Sequence, residues 1–191
     1  MNAIARELHI ARISFARQPE IRTQSLILRP VTAADVEAIA LGLNDHQVAK
    51  MLPPVPQPYY REDAEEWLGR WQTGEAEGWC FAITRDGGPL IGVISIENRE
   101  GEWHLGYWLA RPHWGQGLMS EAASAVGERF FGAMLAETLH SGAVADNAAS
   151  LAIQEKIGFA VTGCRQVWCA SRSETVTVIT TELTFGSYMP L

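Results

Sequence analysis

The chain has 191 residues, 47% of them hydrophobic and 19% charged, which is enough to bury a core and falls within the size of one domain. A formal net charge of −7 excludes a surface built to neutralise nucleic-acid phosphates, which needs clustered Lys and Arg; it suits a cationic partner better. Cys80, Cys164 and Cys169 form no C-x-x-C pair and no apolar run approaches the roughly 20 residues that cross a bilayer, so the expectation is a soluble cytoplasmic protein with no disulfide framework, metal or membrane contact.

Residues 1–23 read as an N-terminal arm ahead of a single domain over 24–191. Ile4, Leu8, Ala11 and Phe15 recur at helical spacing, with Arg6, Arg12 and Arg17 between them. The segment lacks the continuous apolar core and small-residue cleavage site of a secretory signal. Its Glu7 and Glu20 favour an arm packed on the domain or on a second subunit over a transit-like peptide.

Ser25 to Pro30 reads as the first strand, and Thr32 to Asp35 as a capping box leading into a helix with Val36, Ile39, Ala40 and Leu43. Pro53, Pro54, Pro56 and Pro58 require a loop, since each lacks a ladder donor and holds its predecessor extended. A second helix carries Trp67, Leu68 and Trp71. Strands over Trp79 to Arg85, Leu90 to Glu97 and Glu102 to Leu109 follow, and the short gaps between them imply antiparallel hairpins.

Past Leu109 the period changes: Met119, Ala122, Ala123, Val126 and Phe130 fall on one face of a helix starting near Gly117. Thr138 to Val144 reads as a strand, Asn147 to Ile157 as a helix closed by Gly158, and the remainder as two strands, the last rich in Thr and Val. The order is a β-meander, then helix, strand, helix and a final hairpin. That is an α/β arrangement, a mixed sheet with helices on both faces.

The most informative stretch is Tyr107 to Glu121, where a strand ends and Gly115 and Gly117 lead into a helix. Glycines let a backbone approach a ligand closely, and the unpaired N–H groups of a first helical turn point at an anion such as a pyrophosphate. A nucleotide-triphosphate loop would need Lys after the glycines, and none is present. Gly115, Gly117 and Ser120 come close to a dinucleotide fingerprint. The surroundings disagree, because about 110 residues precede the turn and the strands before it are meander-connected.

Trp114 to Met119 (WGQGLM) resembles the [QR]-x-x-G-x-[GA] loop of Gcn5-related N-acetyltransferases, in the branch that includes ribosomal-protein N-terminal acetyltransferases. Leu26 to Pro30 is similar to that branch's opening LxLRP strand and Gly106 to Leu109 to its fourth strand. Asn147 to Phe159 matches its N-x-x-S-x5-K-x-G-F motif. Trp114 stands where the motif has Gln or Arg, and Met119 where it has a small residue. The resemblance implies a mixed, mostly antiparallel seven-stranded sheet flanked by about four helices, with acetyl-CoA in the opening between the fourth and fifth strands. The acceptor it implies is a primary amine, either a protein N-terminus or a small molecule, and the protein itself is expected to be a monomer or homodimer.

Carried over by position, the backbone of Gly115, Gln116, Gly117, Leu118, Met119 and Ser120 would hold the pyrophosphate. Leu109 would bond the pantetheine or the acetyl carbonyl, and Asn147 would contact the pantetheine arm, cap its helix, or do both. Many relatives place an acidic Tyr where this chain has Gln154; Ser150, on the same helix face, is the substitute, its alternative being a small packing residue. His104 is the candidate base, with an unperturbed value suited to the task. Glu102 shares its face and Glu97 ends the preceding strand; either could act through a water. Cys169 stands near the position of a carboxylate that serves as base in the ribosomal branch. His113 and His140 have no partners at metal-ligand spacing. Tyr59, Tyr60 and Trp67 fall where this family forms its acceptor cleft. A catalytically silent acyl-CoA-binding module of the same fold is the alternative function.

Overall fold

The computed structural model describes residues 18 and 20–191. The helical spacing read over Ile4 to Phe15 lies outside the described residues. An eight-stranded mixed sheet runs in the order β1-β2-β3-β4-β5-β6-β8-β7. Its strands are β1 (Ile21–Arg22), β2 (Ile27–Pro30), β3 (Glu77–Thr84), β4 (Leu90–Arg99), β5 (Glu102–Leu109), β6 (Leu139–Val144), β7 (Ala160–Cys169) and β8 (Glu174–Leu183). The helices are α1 (Val36–Leu43), α2 (His46–Ala49), α3 (Arg61–Gln72), α4 (Leu118–Ala133) and α5 (Ala148–Lys156). The sheet has eight strands rather than the expected seven because Ile21 and Arg22 pair with Leu28 and Ile27. Two residues are too few for a period to register. Likewise α2, four residues capped by the Asp45 carboxylate on Gln47 N–H (2.9 Å), is a helix the periodicity did not reveal.

Thr32 and Asp35 form the expected turn, with Asp35 Oδ2 accepting Thr32 N–H at 2.8 Å. Asp35 also takes a two-pronged contact from Arg29 at 2.8 and 2.6 Å, tying the end of β2 to the start of α1. Burial alone would raise the Asp35 carboxyl, but the Arg29 guanidinium and the Thr32 donors outweigh it and hold the group below its ordinary value.

One face of the sheet packs on α4 and α5. Trp79, Phe81, Ile94, Ile96, Trp103 and Leu105 meet Leu118, Ala122, Ala123, Val126 and Phe130 there, with Trp103 edge-on to Phe130 at 6.0 Å. The opposite face packs on α1 and α3 through Ile39, Leu43, Tyr59, Leu68, Cys80, Ala82 and Val93. Gly158 closes α5 at φ 101°, and a Cβ there would lie 2.0 Å from Ser187 O, so only glycine fits.

The sheet is antiparallel from β1 to β5, and α4 then carries the chain over to a parallel β6. β5 and β6 pair only at Trp103↔Leu139 and His104↔His140. Beyond a contact from Ser141 Oγ to Leu105 O (3.0 Å) the two strands part. At the far end, the β7–β8 turn reaches across to the proline loop and the segment just before it. Ala170 N–H donates to Pro53 O (3.0 Å), and Arg172 donates to Lys50 O (2.8 Å) while gripping Asp146 at 2.8 and 2.9 Å. No described helix is long and apolar enough to cross a membrane.

Candidate active site

The gap between β5 and β6 opens into a cleft of about 1510 Å³ that runs from the α4 N-terminus to the face under α3. At its α4 end lies the glycine turn. Gly115 (φ 71°) and Gly117 (φ 77°) are both left-handed and exposed, and a Cβ at either would meet nothing within 4 Å. Gly117 is the N-cap of α4, whose first ladder bond runs from Glu121 N–H to Gly117 O at 3.1 Å. The amides from Gly117 to Ser120 therefore precede the ladder and have no helical acceptor. The side chains of Leu118 and Met119 are buried in the core, so these residues offer the cleft chiefly backbone. That explains why a methionine is accommodated where a small residue was expected. This open, donor-lined cradle fits a diphosphate, and a side chain at either glycine would begin to fill it.

Trp114 and Gln116 hold the turn in place. The Trp114 indole donates to Leu109 O at 2.7 Å, and the Gln116 amide donates to Pro112 O (3.1 Å) while its oxygen accepts from Arg85 (3.3 Å). Arg85, unnoticed in the sequence, brings a cation to the turn. Ala110 N–H bonds Ile91 O on β4 (2.9 Å), so by the antiparallel alternation Leu105, Tyr107 and Leu109 aim their main-chain groups toward β6. The Leu109 carbonyl is occupied by the indole, which leaves its N–H directed into the gap.

On the other wall Asn147 caps α5, its side chain accepting Ser150 N–H at 3.1 Å, and it also lines the cleft. Ser150 is buried, with its hydroxyl 2.9 Å from the Tyr107 hydroxyl and 3.3 Å from the Gln154 amide nitrogen. Gln154 is itself fixed by the Thr181 hydroxyl, which donates to Gln154 Oε1 at 2.6 Å. Burial pushes the Tyr107 hydroxyl up, against the pull of its Ser150 and Gln154 bonds, so it remains protonated at neutral pH. Sequence reasoning missed Tyr107. It sits on β5, 43 positions from Ser150, and only the packing of α5 on the sheet brings the two together.

His104 lies half-buried on the opposite face, across from Glu97 and beside His140. Burial, then Arg99 and His140, lower its value; Glu102, 3.6 Å away, opposes them. Glu97 is buried and clamped by Arg70 (3.3 Å) and Arg99 (2.6 Å), so its charge is already matched. Tyr59 lines the cleft and is nearly buried; burial and the nearby Asp63 and Glu66 push its hydroxyl up to about 12. Trp67 lines the cleft. Tyr60 does not: it precedes the first turn of α3, its N–H goes to Asp63 (2.7 Å), and its ring is 59% exposed outside the cleft. Cys169 is fully buried, with its sulfur near Lys50 O. Among the described residues no group of three or more His, Cys, Asp or Glu is placed to hold a metal ion.

A mixed sheet parted in the middle, with an anion cradle at the head of the following helix, defines an acyl-CoA N-acyltransferase type of fold. Residues 25–160 match the acetyltransferase (GNAT) domain family, and the chain belongs to it. It is 29% identical over 154 residues to the uncharacterized N-acetyltransferase YoaA of Bacillus subtilis (strain 168), covering 74% of this chain and 82% of that one. A GNAT-family acetyltransferase from Bacillus anthracis superposes with a TM-score of 0.75 at 20% identity, covering 88% of this chain and 99% of that one. The ribosomal-protein-S5-alanine acetyltransferase from Vibrio fischeri gives 0.72 at 18% identity, covering 90% and 100%. The fold is thus the mostly antiparallel mixed sheet implied by the motifs.

Proposed function

We propose that the chain transfers the acetyl group of acetyl-CoA to a primary amine, by direct attack in a ternary complex. The observation that carries this reading is the position of the β5–β6 gap. Backbone amides from Gly117 to Ser120, which precede the helical ladder, stand at one end of it, and the Tyr107–Ser150 hydroxyl pair beside it. The donor supplies a thioester carbonyl and a thiol leaving group. The helix amides hold its diphosphate, and the Leu109 N–H is directed at the gap where the pantetheine and acetyl groups would lie.

His104, kept neutral by its surroundings, takes a proton from the incoming ammonium so that the nitrogen lone pair is free. As the new C–N bond forms and the C–S bond breaks, Tyr107, hydrogen-bonded to Ser150, gives its proton to the departing sulfur. The nitrogen sheds its second proton as the amide forms, and Tyr107 recovers its own. The sum is one amide, one thiol and one proton released to solvent. The structural relative named a ribosomal-protein-S5-alanine acetyltransferase makes a protein a reasonable acceptor class beside small amines. Thiol release from acetyl-CoA, followed across a panel of N-terminal peptides, polyamines, aminoglycosides, simple amines and amino acids, tests the reading. Amine-dependent release is the expected result. Acetyl-CoA binding without release for any acceptor would overturn it.

A further inference from the structure

The cleft-facing stripe of α3 consists of Asp63, Glu66, Trp67, Arg70 and Trp71, at helical spacing. Two tryptophans one turn apart ordinarily mean core packing, yet here both are only half-buried. Their rings meet edge to face at 6.4 Å; they rest on the core beneath α3 and also line the cleft. Beneath them the sheet offers a floor of small residues. Ser95 and Gly106 are direct cross-strand partners, and a Cβ at Gly106 would meet only Ser95 Oγ, at 3.6 Å. The adjacent pairs on the same face are Glu97↔His104 on one side and Val93↔Trp108 on the other. Trp108 leans on α1, where a Cβ at Gly42 would lie 2.5 Å from its ring. His104 and Trp108 thus bound a slot at either end, their backbones about 14 Å apart at roughly 3.4 Å per strand residue, with Ser95 and Gly106 between them.

Building on the acetyl-transfer reading, we propose that the acceptor is a primary amine carrying an aromatic or similarly bulky apolar group a few bonds from its nitrogen, seated between Tyr59, Trp67 and Trp71 above Ser95 and Gly106. A ring in this slot is sandwiched by aromatic and small surfaces, and its amine reaches the His104 end where the proton must be taken. The charges agree. Arg70 is engaged by Glu97 (3.3 Å) and Glu75 (3.0 Å) and Arg99 by Glu97 (2.6 Å), whereas Glu66 and Asp63, the latter also accepting Tyr60 N–H (2.7 Å), face the cleft, and at the His104 end Glu102 and Glu182 stand against Arg165. This wall attracts an ammonium, which the tryptophan faces also favour, and repels an acceptor with a carboxylate beside its amine. A small acceptor would leave the slot unfilled.

The test is kcat/KM for thiol release at saturating acetyl-CoA, comparing phenethylamine and a peptide with N-terminal Phe against ethylamine, a peptide with N-terminal Ala, and free phenylalanine. The two aromatic acceptors lacking an adjacent carboxylate are expected to exceed the others by at least about 100-fold. Whichever of the two is faster tells a small amine from a polypeptide end. Gly106→Val, which fills the floor, and Trp67→Ala, which removes the roof, should each lower the phenethylamine-to-ethylamine ratio at least about tenfold. Equal or faster turnover of ethylamine and the Ala peptide by the unaltered protein overturns this proposal and leaves acetyl transfer standing. No thiol release with any acceptor overturns both.

Discussion

The Tyr107 and Ser150 hydroxyls are 2.9 Å apart at the margin of the gap, and the proposed mechanism divides the acid's work between them unequally. In it Tyr107 carries the proton, while Ser150, held by Gln154, orients it. Tyr107→Phe is therefore expected to lower kcat by about 10²-fold, and Ser150→Ala by about tenfold, with the Kd for acetyl-CoA nearly unchanged in both. Steady-state turnover beside a donor titration checks this; intact turnover in Tyr107→Phe would leave that hydroxyl a packing role. For His104 the sign follows from its lowered value. With His104 as the proposed base the neutral imidazole is the active form, so activity should be lost as pH falls through a point below the ordinary 6.5. The acid limb of kcat/KM against pH should lie there, and His104→Gln should abolish it and lower kcat by about 10²-fold. A limb that survives the substitution would assign the base elsewhere.

Among the elements, the head of α4 separates folding from binding. Gly117 is left-handed with open space around it, so an aspartate there meets no clash but carries the strain of that conformation, up to about 1–2 kcal/mol, which Asp bears better than most residues. Gly117→Asp should therefore fold, with its Tm lowered by no more than about 8 °C, yet weaken acetyl-CoA binding at least about tenfold by setting a negative charge where the proposed diphosphate would lie. Unchanged affinity would mean that the cradle is elsewhere. The β2–α1 junction behaves in the opposite way, affecting stability alone. Asp35 is 4% exposed and Arg29 keeps 26% of its side chain in water, so Asp35→Ala should cost about 3 kcal/mol, the low end for breaking a buried pair. Because the folded carboxyl titrates below its unfolded value, the stabilisation is fully present above the unfolded pKa and is lost as pH falls through the folded one. Denaturant melts of parent and variant should converge in that acidic window.

At the scale of the whole molecule, what was legible in the text was what the chain encodes locally. The glycine turn, the Asn147 cap, the Gly158 stop and the Thr32–Asp35 turn each depend on residues a few positions apart, and each stands where spacing put it. Tyr107 was not legible because its role depends on a helix packing across a strand. Tyr60 was misplaced because a single residue at the start of α3 separates a ring inside the cleft from one outside it. Arg85 was unremarkable in a hairpin turn until the fold brought it beside Gln116. The parting of β5 from β6 after two residue pairs has a consequence for traffic. On the proposed reading a perforated sheet gives each substrate its own doorway, the nucleotide tail resting against one layer of helices and the amine arriving beneath the other. Neither guest would have to leave for the other to enter, so the transfer would need no acyl group parked on the protein between the two.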